Sequence, residues 1–293
     1  MFTGIILSAL SAAGLVQQTD TIIDAGGASR FSLESFQGQV VVRTWDRDAV
    51  HLVADYSDSH SVQIHRSGST IFVEPEAERG FGMAHPVDFQ VTVPRGFDID
   101  IEGVALEVEI QDTEGQIKVG TVHGPIRVTG GRGQISLESV NGEVRLEGAE
   151  GNMDVRGVAG GVTIRNCVGD IYAESVGGQI ALEGISSSDV EVGAVSGTLR
   201  FEGEIQDGGQ YNFGTHGGEI WLYLPERINA HVEVVTLAGD IETDYPGAPS
   251  EPTRGRIIPG LNEKEISFEL GSASARIEVE TFAGTVHILR QGG

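Results

Sequence analysis

GQIKVGTVH (115–123), GPIRVTGGR (124–132), GQISLESVN (133–141), GEVRLEGAE (142–150), GNMDVRGVA (151–159), GGVTIRNCV (160–168) and GDIYAESVG (169–177) follow one another without a slip, and Gly178 opens an eighth copy. Counting each glycine as zero, position +2 runs Ile117, Ile126, Ile135, Val144, Met153, Val162, Ile171, Ile180. Position +4 runs Val119, Val128, Leu137, Leu146, Val155, Ile164, Ala173, Leu182. Side chains two apart share one face of a strand, so +2 and +4 mark an inward face. Glycine at zero suits a sharp turn, with positive φ open to it, before each new strand.

A second period lies over the first. At +7, alternate units carry Val122, Val140, Val158 and Val176, and the units between carry Gly131, Ala149, Cys167 and Ile185. The tetrapeptides TVHG, SVNG, GVAG and SVGG therefore recur at every second unit. The pattern predicts an all-β, single-chain β-solenoid or β-helix with about 18 residues per coil, two nonapeptide strands to each coil. All +7 residues are expected to point inward with +2 and +4. The tetrapeptide continues as AVSG (194–197), THGG (215–218), TLAG (236–239) and TFAG (281–284), and SFQG (35–38) is an early copy.

Upstream, residues 19–30 read as a leader into the first strand, and 31–57 as two strands split at Asp46–Asp48. Residues 61–75 read as a hairpin about Ser67–Ser69, 76–86 as a loop, and 87–94 and 97–112 as strands. No 3.6-residue period of useful length occurs. Downstream, 244–265 holds four of the nine prolines and reads as an excursion before the strands return. The expected organisation is a signal peptide over 1–17, an irregular N-terminal β module or cap over 18–112, the regular solenoid over 113–243, and an excursion with closing strands or cap over 244–293.

The leader rests on FTGIILSALSAAGLV (2–16), too short for a bilayer span of about 20 residues and followed by polar QQTDT. It predicts export to the periplasm, envelope or exterior, with cleavage near Ala13–Gln17, although no Lys or Arg precedes the apolar run. No cysteine stands near the cleavage region, and no later run could span a membrane as a helix. The net charge of −24 excludes a nucleic-acid surface, which needs a basic footprint. Cys167 is the only cysteine, so no internal disulfide forms, and its place in the repeat predicts a buried, inert thiol.

Any chemistry on such an array must use the outward positions. At +5, Glu138, Arg156, Glu174 and Glu147, Arg165, Glu183 alternate in sign, the pattern of cross-strand ion pairing. The acids Asp98, Asp100, Glu102, Glu107, Glu109, Asp112 and Glu114 read as a solvated strand face, and His60 with His65 lacks a third ligand. No nucleophile elbow, Walker loop, zinc helix or paired-cysteine site occurs. The sequence thus predicts no catalytic residue, no metal and no cofactor. Trp221 and Tyr223, in EIWLYLP, stand one step off the inward Ile220 and Leu222, so they point outward as the candidate partner-binding pair, unless the 244–265 excursion folds over them.

The G-x-[IV]-x-[VL] strands, the [ST]-[VLF]-x-G turns, the opening FSLESFQGQVVVRTWDRD and the closing ARIEVETFAGTVHILR resemble the bacterial putative-adhesin domain family of exported β-strand-repeat proteins. The resemblance runs from about Phe31 to Arg290 and implies an exported or envelope-associated β-solenoid, with no catalytic residues to carry over. The expected function is non-enzymatic: an adhesin-like binding or scaffold protein that meets a protein or glycan at the cell envelope through its sheet faces. The alternatives are a carbohydrate-active β-helix enzyme and a self-assembling envelope scaffold.

Overall fold

The computed structural model describes residues 16–57, 60–77, 86–245, 248–249, 257–258 and 261–291. Most of the expected signal segment, and 78–85 of the expected loop, lie outside the described residues. Every regular element is a strand, as the period-2 patterning requires, and the described residues hold no helix. They form two compact units, divided between Gly142 and Glu143.

The first unit contains β1 (Val16–Asp24), β2 (Arg30–Trp45), β3 (Ala49–Ser57), β4 (His60–Ser67), β5 (Thr70–Ala77), β6 (Asp88–Pro94), β7 (Asp98–Thr113), β8 (Ile117–His123), β9 (Ile126–Gly130) and β10 (Arg132–Ser139). From β7 onward the pairing is parallel, each partner lying two nonapeptides further along: Ile99 faces Ile117, Ile117 faces Ile135, and Val108 faces Ile126. On its other side β7 pairs with β2, Phe31 facing Ile99 and Val40 facing Val108. β2 is in turn flanked by β5 and β6, both parallel to it. Antiparallel strands finish this unit: β4 on β5, β3 on β6, and β1 on β3. The last corrects the reading of 19–30 as a bare leader. Residues 16–24 pair along the whole of β3, so over 51–55 that strand's backbone meets a partner on both sides.

The second unit contains β11 (Val144–Glu147), β12 (Glu150–Gly157), β13 (Val162–Arg165), β14 (Ile171–Ser175), β15 (Ile180–Ala194), β16 (Leu199–Thr215), β17 (Ile220–Leu224), β18 (Ala230–Thr236), β19 (Ile241–Thr243), the short ladder β20 (Ile257–Ile258) with β21 (Leu261–Asn262), β22 (Lys264–Leu270), β23 (Ala275–Thr281) and β24 (Val286–Arg290). Val144 faces Val162, Val162 faces Ile180 and Met153 faces Ile171, again parallel and two nonapeptides apart. The spacing then lengthens: Ile171 faces Val190, Ile180 faces Leu199, and Val190 faces Tyr211. The wider interior is filled by aromatic rings. Phe201 and Phe213 approach to 5.1 Å between centroids, and Tyr211, wholly buried, donates from its hydroxyl to the Ser187 carbonyl at 2.6 Å and accepts from the Gln206 amide at 2.8 Å. Stacking order then departs from chain order. β23 pairs with β16 on one side and β18 on the other, and β24 lies between β17 and β19. The TFAG layer is therefore inserted between the THGG and TLAG layers, while antiparallel β22 covers β18.

All +2 and +4 residues of the eight nonapeptides are buried, as their spacing demands. Position +7 splits. Ala149, Cys167 and Ile185 are buried, but Val122, Val158 and Val176 are 37–43 % exposed, which corrects the expectation that both series face inward. The cause is that the two turns differ. In one, the +6 residue takes a left-handed conformation (Gly130, Gly148, Asn166, Gly184) and swings +7 into the core. In the other, +6 is an inward Thr121, Ser139, Gly157 or Ser175 without left-handed φ, and +7 is thrown out. Glycine at zero also has two reasons. At Gly124, Gly151 and Gly169 φ is positive. At Gly142 and Gly178 it is not; there a Cβ would collide with the carbonyl of Gly124 or Gly160 in the adjoining layer.

Candidate functional site

Trp221 and Tyr223 lie on the outer face of β17, half-buried, one step off the buried Ile220 and Leu222. Strand register sets Arg200, Trp221, His287 and Glu242 in one row across β16, β17, β24 and β19. The His287 ring stacks on Trp221 at 3.7 Å and 14°, and its Nδ1 lies 3.0 Å from Glu242. The Arg200 guanidinium sits 4.0 Å from the centroid of Tyr223 and 2.8 Å from Glu202, while Trp221 Nε1 donates to Glu219 at 3.1 Å. Neighbours thus occupy one face of each ring, and the described part of the 244–265 excursion contributes none of these partners. A sugar stacks on an open aromatic face, so the pair offers less platform than its spacing promised.

A second outward row comes from the turns. In the first unit, Val140 and Asn141 donate backbone hydrogen bonds to Thr121 and Val122 of the layer before. In the second unit the same bonds tie Val176 and Gly177 to Gly157 and Val158, Val195 and Ser196 to Ser175 and Val176, His216 and Gly217 to Ala194 and Val195, and Phe282 and Ala283 to Thr215 and His216. Leu237 then bonds to Thr281. The residue after the [ST] position therefore forms a ladder in each unit. Val158, Val176, Val195 and Phe282 are 40–47 % exposed, Phe36 at the same position of SFQG is 57 % exposed, and the His216 and Phe282 rings stack at 4.8 Å.

Beside each ladder runs a groove. In the first unit it measures about 670 Å³ and is lined by Phe36, Pro75, Val104, Val122 and Val140 on the apolar side, with Glu34, Glu74, Glu102 and Glu138 as its carboxylates. Register places Glu34, Glu102, Gly120 and Glu138 on successive strands. In the second unit a groove of about 530 Å³ has Val195, His216, Leu237 and Phe282 along it, Glu174 and Glu280 beside it, and Gly193 and Gly214 between those acids in the row. Gly120, Gly193 and Gly214 share one property. Their φ is not left-handed, and a Cβ at any of them would meet nothing within 4 Å. The ladder and grooves escaped the sequence reading because +7 was assigned wholly to the core. The available signal was the alternation of Gly or Asn with Ser or Thr at +6, broken once at Gly157.

The comparisons bear on this architecture. A family model described as Toastrack DUF4097 matches residues 29–289. The chain belongs to the Toastrack DUF4097 family. A solved structure described as a "putative cell adhesion protein" from Clostridium sporogenes is 13 % identical over 94 % of this chain and 100 % of its own, with a TM-score of 0.25, a likeness too loose to carry an argument. No curated protein matches the sequence.

In this Toastrack chain the other polar candidates resolve into local pairs. Of the acidic run, Asp98 meets Arg30 at 3.3 Å, Glu107 meets Arg127 at 2.7 Å, and Lys118 reaches both Asp100 and Glu102. The hydrogen bond to Glu102, then the charge of Asp100, raises the Lys118 pKa. Arg165 pairs with Glu183 at 2.8 Å as the +5 alternation predicts, whereas Arg156 turns to Asp154 at 2.9 Å on its own strand and lies over the Tyr172 ring. His65 stacks on Phe72, and the His60 side chain lies outside the described residues. Among the described residues no three His, Cys, Asp or Glu are grouped to hold a metal. No helix there is long and apolar enough to cross a membrane. Cys167 is fully buried, accepts from the Ala149 amide at 3.4 Å and donates to the Arg165 carbonyl at 3.1 Å; burial raises its thiol pKa, which keeps the unreactive protonated form.

Proposed function

We propose that this chain is an exported, non-enzymatic binding or scaffold protein of the cell envelope. In this reading it is a β-solenoid built of coils of two nonapeptides each, released from a signal segment over 1–17. It is organised as an N-terminal β module over 18–112, regular coils over 113–243 and closing strands over 244–293. It meets an envelope protein or glycan through the exposed turn side of its sheets.

The observation that carries this reading is the outward ladder. Phe36, Val122, Val140, Val158, Val176, Val195, His216, Leu237 and Phe282 occupy one repeat position. They share apolar or aromatic character but not β-branching, so backbone preference does not unite them. Those most exposed bury little on folding, and core packing does not call for them. Within each unit, an exposed apolar row of this kind marks a contact surface. Membership of the Toastrack DUF4097 family accords with this reading.

The test has two arms. Cell fractionation with N-terminal sequencing should find a mature chain, lacking about the first 17 residues, outside the cytoplasm. Capture from envelope extracts should yield a partner that the triple variant Val158→Ser, Val176→Ser, Val195→Ser loses while its melting temperature holds. An uncleaved cytoplasmic chain sinks the export reading. An identical capture by the triple variant sinks the ladder.

A further inference from the structure

The groove of the first unit is built for an occupant whose chemistry its walls define. We propose that it seats an extended peptide segment carrying alternating basic and bulky apolar side chains, supplied by another protein; the proposal rests on the binding-module reading above. The first reason is the floor. Gly120 sits mid-strand in β8 with ordinary φ and open space where its Cβ would be. Neither turn geometry nor packing calls for glycine there, and glycine weakens a strand interior. It is the residue that lets another backbone come close.

The walls give the second reason. On one side Phe36 and Val122 stand exposed at the turn corner. On the other are Glu34 and Glu102 on adjacent strands about 4.8 Å apart, and Glu138 one strand further on, beyond Gly120. Of these, Glu102 is held by Lys118, whereas no ion pair among the described residues engages Glu34 or Glu138. An acid row with two unneutralised carboxylates, beside apolar side chains, complements a chain that brings cations and hydrophobic groups together. Another copy of this chain, at net charge −24, does not.

The second unit supplies independent support. Its groove repeats the plan, with Gly193 and Gly214 as floor, Val195 and Phe282 as apolar wall, and Glu174 and Glu280 as acids. Glycine has appeared at the equivalent row, beside the ladder, in each unit.

The test uses the full chain and two labelled decapeptides, one alternating Arg and Leu, the other Glu and Leu, followed by fluorescence anisotropy and calorimetry. The Arg/Leu peptide should bind saturably with two sites per chain and weaken at least tenfold from 0.05 to 0.5 M salt; the Glu/Leu peptide should not bind. Gly120→Leu should remove one site and Gly120→Leu with Gly214→Leu both, with melting temperatures unchanged or higher. Glu34→Gln with Glu138→Gln should weaken the first-unit site at least tenfold without filling it. Two sites retained in Gly120→Leu, equal binding of the Glu/Leu peptide, or displacement by spermidine at equal charge concentration would each overturn the proposal. If the peptide fails while envelope capture still depends on Val158, Val176 and Val195, the groove assignment falls and the binding-module reading stands. If capture is ladder-independent too, both fall.

Discussion

A hydroxyl three residues before a turn glycine is the smallest recurring device in the chain. The Gly142 amide donates to Ser139 Oγ at 2.9 Å, Gly178 to Ser175 at 3.0 Å, Gly218 to Thr215 at 3.1 Å and Gly239 to Thr236 at 2.9 Å. Each clip satisfies a backbone N–H that the turn would otherwise leave without a strand partner. In the two layers that are inserted out of chain order, the same position is unclipped: Ser35 Oγ and Thr281 Oγ1 are buried without a hydrogen-bond partner. One substitution should therefore have opposite signs at two copies of one motif. Ser175→Ala strands the Gly178 amide and should cost about 1–3 kcal/mol, whereas Ser35→Ala removes an unsatisfied polar atom and should be neutral or stabilising. Denaturant midpoints at equal m-value decide it. Equal losses at both sites would mean that the clip contributes nothing.

At the scale of the strand and its turn, half of the fold was legible directly. The +2 and +4 residues alternate with polar neighbours, and period 2 leaves them only one face to occupy. Position +7 was not legible from hydrophobicity, because Val176 and Ile185 look alike in sequence and differ only in the turn that precedes them. Left-handed Gly184 brings Ile185 inside; inward Ser175 leaves Val176 43 % exposed. Ile185→Ala should thus cost about 2–5 kcal/mol as a core truncation. Val176→Ala should stay within about 0.5 kcal/mol. Comparable losses in paired thermal melts would return Val176 to the core and remove the ladder on which the functional reading stands. The candidate pair Trp221 and Tyr223 was placed correctly as outward from its strand alternation. What alternation could not show was the row across strands, since His287 reaches Trp221 from a strand far along the chain, beyond the whole 244–265 excursion.

Across the molecule, each unit finishes in the same unexpected way, with the outermost parallel layer made by a segment that the chain lays down and then passes over. In the first unit β2 lies between β7 and the β5/β6 layer; in the second, β23 and β24 lie between β16/β17 and β18/β19. Repeat order in the sequence cannot reveal this, because TLAG and TFAG match the same turn equally well and only long-range pairing decides which stacks on THGG. The physical consequence concerns fraying. Strands near a chain terminus ordinarily open first, and an edge strand has a partner on one side only. β24 instead has partners on both sides, with Val286 and Ile288 fully buried, whereas β1, among the described residues, pairs along a single edge. Native-state hydrogen exchange should therefore rank the amides of 286–290 with those of β17, and protect both more than those of 16–24. If 286–290 exchanged as fast as 16–24, β24 would be an edge strand and the inserted order wrong. If it exchanges with β17, the layer that closes the sequence is one that the second unit cannot shed without opening its core.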